Sequence, residues 1–305
     1  MTLQQLRQVL TIAESNSMNE AAKKLFVSQP NLSATVREVE EELGITVFMR
    51  NNRGITVTAE GEEFLGYAKQ VVEQYHLLEN RYLNVESKKK FSVSMQHYSF
   101  AVKAFVQLAK EVGMDEYEFA VHETKTKEVI DNVKNLKSEI GVLYLSDFNE
   151  KVLRKLFKEC DIEFKELFTC NTYVYLWKKH PLAGQKEITL DDLQEYPCLT
   201  FEQGVNNSFY YAEEMMSTYE YKRVIKADDR ATMLNLMVGL NGFTLCSGII
   251  SEDLNGDDYA AIPLKESEKM HIGYIKHKGT KLSKLGEIYI DAVSYTHLRA
   301  HETEL

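Results

Sequence analysis

The stretch AAKKLFVSQPNLSATVREVEEELGITVFMRNNRGITVTAEG, residues 21–61, decides how the chain begins to fold. Leu32, Val36, Val39 and Leu43 recur at helical spacing and form one apolar face. Ser28 stands where an N-cap belongs, Pro30 falls in the first turn where its missing N–H costs nothing, and Gly44 ends the helix. Upstream, Ser17-Met18-Asn19-Glu20 has the capping-box form, and Ala21-Ala22 allow close helix approach across the Phe26-Val27 turn. Working further outward, Thr2 precedes Leu3, Leu6, Leu10 and Ala13, again at helical spacing. Helix, short turn and helix is therefore expected. The face opposite the apolar one centres on Ala34, flanked by Pro30, Asn31, Ser33 and Arg37. Such short side chains suit a helix end entering a DNA major groove, while Glu38, Glu40, Glu41 and Glu42 at the other end would repel phosphates. Residues 45–50 and 55–58 read as two strands around an Asn51-Asn52-Arg53-Gly54 turn, a wing with Arg50 and Arg53 at its tip. Spacing alone leaves open a small helical domain with a solvated hairpin.

Charge does not choose between these readings. The 305-residue chain carries 36 basic and 46 acidic side chains, net −10, and residues 1–58 hold six of each sign. A net-neutral head has no basic footprint of the usual kind. With 44% hydrophobic and 27% charged residues the composition is globular, and the length suits two or three domains. No apolar run of membrane-spanning length and no secretory leader is read. Cys160, Cys170, Cys198 and Cys246 stand far apart, without ligand spacing, as reduced thiols of a cytoplasmic protein.

The order of residues carries more than the charge. A-A-x-x-L-x-V-S-Q-P from Ala21, E-x-x-L-G ending at Gly44, F-x-R at Phe48–Arg50 and T-x-x-G at Thr58–Gly61 together resemble the N-terminal signature of LysR-type transcriptional regulators. The resemblance implies base and phosphate contacts from Ser28, Gln29, Pro30 and Ser33 and from the wing arginines Arg50 and Arg53. Asn31 and Arg37 join them on the reading face. One departure is Ala34, where many members carry a basic or long polar residue. A methyl group reaches thymine but no guanine edge or phosphate.

Thr58 opens a long helix with Glu60, Glu62 and Glu63 in its first turns, where the helix dipole favours anions. Phe64, Ala68, Val71, Tyr75, Leu78 and Tyr82 then follow at alternating spacings of 4 and 3, a heptad seam. It reads as a dimerising linker helix, residues 59–86, with packing on its own domain as the alternative. Asn84–Lys90 is polar, and the interdomain hinge is expected there.

From Phe91, strands and helical stretches alternate as βαβαβ: 91–95, 99–112, 117–121, 124–136 and 140–145. A second unit runs from strands at 163–169 and 173–177 through a helix at 209–217. The fold class expected is α/β overall: an all-α winged helix-turn-helix (1–58), the linker helix, and a two-lobed α/β domain (87–293). Lobe 1 takes about 91–161 and 268–293, lobe 2 about 162–267. The landmarks WKKHPLAG, DDLQEYPCLTF and VGLNGFTLCS fall in the order that resembles the effector-binding domain of LysR-type regulators, itself similar to type 2 periplasmic solute-binding proteins.

In that architecture effectors contact strand ends and helix starts. The candidates here are Gln96, His97, Tyr98, Ser99, Thr124, Leu145, Thr200, Phe201, Glu202 and Ser247. Ser99 and Thr124 have helix capping as a simpler role, and His97 fits equally as a partly buried side chain without a ligand. Glu202 would disfavour an anionic ligand unless a cation such as Lys125 offsets it. No catalytic motif is found, and no cofactor or metal is expected. His180 and the Asp228-Asp229 pair read as structural. SYTHLRAHETEL, residues 294–305, reads as a non-native tail, a metal-binding or oligomer-contact tail being the alternative. The partners implied are double-stranded DNA with a pseudo-palindromic operator, a small-molecule effector, a second copy of the chain as dimer or tetramer, and RNA polymerase, with no membrane. A solute-binding protein or α/β enzyme carrying an accessory winged helix is the competing function.

Overall fold

The computed structural model describes residues 1–15, 17–51, 54–82, 88–113, 116–206 and 208–302. They fall into two compact units, Met1–Ser87 and Lys88–Leu305.

The first unit comprises α1 (Leu3–Ala13), α2 (Met18–Lys24), α3 (Gln29–Leu43), an antiparallel hairpin of β1 (Phe48–Asn51) and β2 (Gly54–Val57), and α4 (Ala59–Tyr82). The Ser17 hydroxyl accepts from Glu20 N–H, Ser28 accepts from Asn31 N–H, and Gly44 closes α3 at φ 71°. Val9, Ile12, Leu32, Val36, Val39 and Val47 are sealed in one core. Gly61 has a packing reason, because a Cβ there would stand 2.3 Å from the Val47 carbonyl oxygen. The first turn of α4 thus lies directly against the chain entering the wing. Glu40 departs from expectation. Its Oε1 accepts from the Val47 and Phe48 amides at 2.7 and 3.0 Å, so this carboxylate ties α3 to the wing.

The second unit holds β3 (Lys89–Met95), α5 (Ser99–Val112), β4 (Tyr117–Glu123), α6 (Thr126–Lys134), β5 (Ile140–Leu145), α7 (Glu150–Glu159) and β6 (Ile162–Cys170). It continues with β7 (Tyr173–Trp177), α8 (Leu190–Leu193), β8 (Cys198–Phe201), β9 (Val224–Ala227), α9 (Arg230–Leu240), β10 (Thr244–Cys246), α10 (Glu252–Asn255) and β11 (Tyr259–Pro263), then β12 (Met270–His277) and α11 (Lys284–Glu302). Lobe 1 is a five-stranded sheet in the order β4-β3-β5-β12-β6, parallel across β4-β3-β5 and antiparallel at β12. Side chains of α5 and α11 share one core with this sheet, and those of α6 and α7 share another. Lobe 2 carries the β10-β7-β11 sheet and the parallel pair β8-β9, joined by the bridge from Cys198 to Phe243.

Three boundaries move. Residues 162–170 belong to lobe 1, not lobe 2, because β6 pairs along its length with the returning β12. The expected helix at 209–217 shrinks to a 3-10 turn, Phe209–Tyr211, after which the chain is irregular. The helix expected to end near 293 continues to Glu302. That stretch contains neither Gly nor Pro, and the Ser294 and Thr296 hydroxyls bond back to the Ile290 and Val293 carbonyls.

Candidate nucleic-acid interface and ligand cavity

Leu32, Val36 and Val39 point α3 into the core, which turns the opposite face outward. Ser28, Pro30, Asn31 and Arg37 are exposed, and Gln29, Ser33 and Ala34 are half-buried beside them. Gln29 donates its side-chain amide to the Ser33 hydroxyl at 2.9 Å, which fixes the amide on the reading face. Arg37 lies 3.6 Å from Glu41 one turn on, both side chains being solvated. Arg50 occupies β1 opposite Ile55. Its side chain, and all of Arg53, lie outside the described residues. Phe26, in the turn before α3, takes φ 54° and is 96% exposed.

The heptad seam of α4 is corrected. Ala68 is sealed together with Leu6 and Val72, and Phe64 packs on the same core, so these two positions serve their own unit. Val71, Tyr75 and Leu78 remain exposed and are joined by Tyr67, a stripe roughly 80° wide at 100° per residue. The Arg7 guanidinium lies over the Tyr75 ring, 5.4 Å from its centroid. The side chain of Tyr82 lies outside the described residues.

The second unit holds a cavity of about 80 Å³ between its lobes. His97, Tyr98, Ser99, Phe201 and Ser247 line it, as the strand-end rule anticipates. Gln96, Thr124, Leu145, Thr200 and Glu202 do not. Gln96 is buried, with its amide on the Thr126 hydroxyl and its carbonyl accepting from Tyr98 O–H and Tyr144 N–H. Leu145 is core between the sheet and the α6–α7 layer. The Thr124 hydroxyl donates to Glu128, and Thr200 lies half-buried on β8. Glu202 accepts from Gly204 N–H and pairs with Lys226, while Lys125 pairs with Asp228 instead. Nor do Ser99 and Thr124 cap: the N-caps of α5 and α6 are Tyr98 and Lys125, neither with a side-chain capping bond. His180 is structural, held between the Asn241 carbonyl and Leu182 N–H, and Asp229 caps α9.

Lobe 1 adds Phe100 and Met270 to the wall, and lobe 2 adds residues with no local signal, among them Tyr175, Glu213, Glu214, Arg230, Met233, Thr244 and Asn255. Tyr175 and Thr244 face each other across the β7–β10 register; the Tyr175 hydroxyl leans toward the Asn255 side chain, while the buried Thr244 hydroxyl has no hydrogen-bond partner among the described residues. A buried hydroxyl left unpaired is costly, so a cavity wall holding the Thr244 hydroxyl is prepared for a polar ligand atom. Arg230 pairs with Glu123 across the lobes. The His97 ring lies flat on Phe201, centroids 3.6 Å apart and planes 6° from parallel.

A winged helix-turn-helix unit and a two-lobed α/β unit with an internal cavity define a DNA-binding regulator with a ligand-sensing domain. Residues 3–62 match the family model of the bacterial regulatory helix-turn-helix protein, lysR family, and residues 96–294 match the LysR substrate binding domain, so the chain belongs to the LysR-type transcriptional regulators. It is 25% identical over 297 residues to the HTH-type transcriptional regulator CysL of Bacillus subtilis (strain 168), covering 93% of this chain and 94% of that one. With the transcriptional dual regulator GltC of the same organism it shares 30% identity over 214 residues, 67% and 66% of the two chains. A full-length OxyR cysteine variant from Pseudomonas aeruginosa shares the fold at a TM-score of 0.71 and 19% identity, covering 96% of this chain and 94% of that chain. The full-length regulator LysG from Corynebacterium glutamicum, with bound effector Arg, does so at 0.62 and 13%, covering 98% and 99%. The matched relatives are transcriptional regulators, which favours the regulator over the competing reading of a solute-binding protein or enzyme with an accessory winged helix. Among the described residues no helix is long and apolar enough to cross a membrane.

Proposed function

We propose that the chain acts in the cytoplasm as a non-catalytic homodimer or tetramer whose heads read a pseudo-palindromic operator and which engages RNA polymerase. Ser28, Gln29, Pro30, Asn31, Ser33 and Arg37 meet bases and phosphates, and Arg50 and Arg53 follow the backbone beside them. The exposed stripe Tyr67, Val71, Tyr75 and Leu78 joins two copies, so that two short reading faces act together. A small effector occupies the interlobe cavity and shifts the equilibrium between two quaternary states by binding one more tightly.

The observation that carries the sensing half is the Thr244 hydroxyl, buried in the cavity wall without a hydrogen-bond partner among the described residues. Its test is a thermal-shift screen of small metabolites on the full chain, since a saturating ligand raises stability with the logarithm of its concentration. A compound that stabilises the wild type should lose its effect in Met233→Trp, which fills the cavity, and weaken in Thr244→Val. A shift that survives Met233→Trp would place the effector elsewhere.

A further inference from the structure

Glu213 and Glu214 follow the 3-10 turn in lobe 2, and each is only 6% exposed. A buried carboxyl has to be paired, hydrogen-bonded or neutral. Glu213 is bonded at both oxygens. Oε2 accepts from the His97 backbone N–H at 2.9 Å and lies 2.7 Å from His97 Nδ1, and Oε1 accepts from Gln203 Nε2 at 2.8 Å. His97 belongs to lobe 1, so these bonds bridge the lobes. Others run beside them: Thr126 N–H to Gln203 Oε1 at 3.1 Å, the Thr126 hydroxyl to the Tyr211 carbonyl at 2.7 Å, and the Tyr144 hydroxyl to the Ala212 carbonyl at 3.0 Å.

Glu214 is differently placed. Its Oε1 accepts from Phe201 N–H at 2.8 Å, a bond within lobe 2, and among the described residues it has no ion pair. The titratable groups facing it are Glu213 beside it, Tyr98 at the start of α5, Tyr144 on β5, Cys198 on β8 and Tyr221 before β9. None is a cation. The basic groups of the cavity wall are engaged elsewhere, His97 by Glu213 and Arg230 by Glu123.

We propose that Glu214 holds a proton that latches the two lobes: while it is neutral, Glu213 bridges to His97, and when its proton leaves to water two adjacent buried carboxylates repel and the bridge loosens. Burial, reinforced by the Glu213 charge and opposed by backbone N–H groups of Phe201, Glu214 and Glu213, pushes the Glu214 carboxyl up to about 8. An unfolded glutamate titrates near about 4.3. Between those values the folded chain keeps a proton that the unfolded chain has lost. The stabilisation is full below the lower value, declines as pH rises through the window, and is lost above the higher one. An open state that admits water to Glu214 relieves the burial that raises its carboxyl and so holds the proton less tightly; closure, like folding, therefore weakens with rising pH near neutrality. The latch adjoins the proposed effector cavity, but its test uses no effector, so either reading falls without the other.

The experiment is hydrogen–deuterium exchange on the full chain at about pH 6.5 and about pH 9, corrected for intrinsic exchange. In the wild type, protection at the His97 and Thr126 amides should fall severalfold at the higher pH. Glu214→Gln, which keeps the shape of the neutral acid and its bond to Phe201, should be protected alike at both. Protection in the wild type that does not change with pH, or an equal loss in Glu214→Gln, overturns the latch. Should that variant fail to fold, isotope-edited infrared spectra of the wild type with ¹³C-labelled glutamate decide. A protonated carboxyl band present at the lower pH and gone at the higher supports the latch, and its absence at the lower overturns it.

Discussion

Glu40 sits in a sequence run that is acidic at 38 and at 40–42, and from composition all four side chains look alike, a solvated cluster at the far end of the reading helix. The structure separates them. Glu40 turns back to accept two amides at the entry to the wing, where it sets the position of β1 against α3. Which member of a charge run is recruited depends on a neighbour that only the folded chain supplies, so the role is invisible in the run itself. Glu40→Ala leaves both part-buried amides unsatisfied and should lower stability by about 1–3 kcal/mol, read as a shift in the denaturant midpoint of the first unit's transition in the full chain. Gly61→Ala should destabilise the same unit, because its methyl would overlap the Val47 carbonyl. An unchanged melting temperature for Gly61→Ala would refute that close approach. The cavity teaches the same lesson. His97, Tyr98, Ser99, Phe201 and Ser247 were legible because strand ends and helix starts converge on clefts. Tyr175 and Thr244 lie within strands, and Glu213-Glu214 lie in a stretch read as helix, so no local pattern placed them there.

At the scale of elements, capping and apolar period made α1 to α4 and the βαβαβ run of lobe 1 readable. Ser17, Ser28 and Gly44 punctuate the helices as their side chains and backbone freedom require. Pairing was not readable. Whether β6 opens the second lobe or closes the first depends on the partner it meets about a hundred residues later in β12, a contact without local trace. The α7 helix, with its buried Leu153 and Phe157, and strand β11 were not read from the sequence, although Leu153 and Phe157 stand at helical spacing and Gly256 and Pro263 bracket β11. In α4 the apolar repeat was real but served two partners, α1 through Ala68 and Val72, and solvent through Tyr67, Val71, Tyr75 and Leu78. If that stripe joins two copies, Val71→Asp combined with Leu78→Asp should convert the chain to monomer by light scattering after size exclusion, with its fold retained by circular dichroism. DNA affinity should fall with it, because the heads would bind singly. A variant that remains dimeric would move the interface off this helix.

At the scale of the molecule, a chain of net charge −10 binds a polyanion only where its surface is arranged for it. The acidic residues of α3, Glu38 and Glu40 to Glu42, lie in its C-terminal half, and the short polar residues at its N-terminal end leave little charge for indiscriminate attraction. Affinity should thus depend on fit and on two heads more than on phosphates, with a modest salt slope. The most direct test is the ratio of affinities, at fixed physiological salt, for a duplex selected from a random library by the full chain and for its scrambled counterpart. The account predicts a ratio of at least about 10³, with Gln29→Ala reducing the preference and Arg37→Ala weakening both duplexes alike. A ratio near unity for the wild type would contradict it.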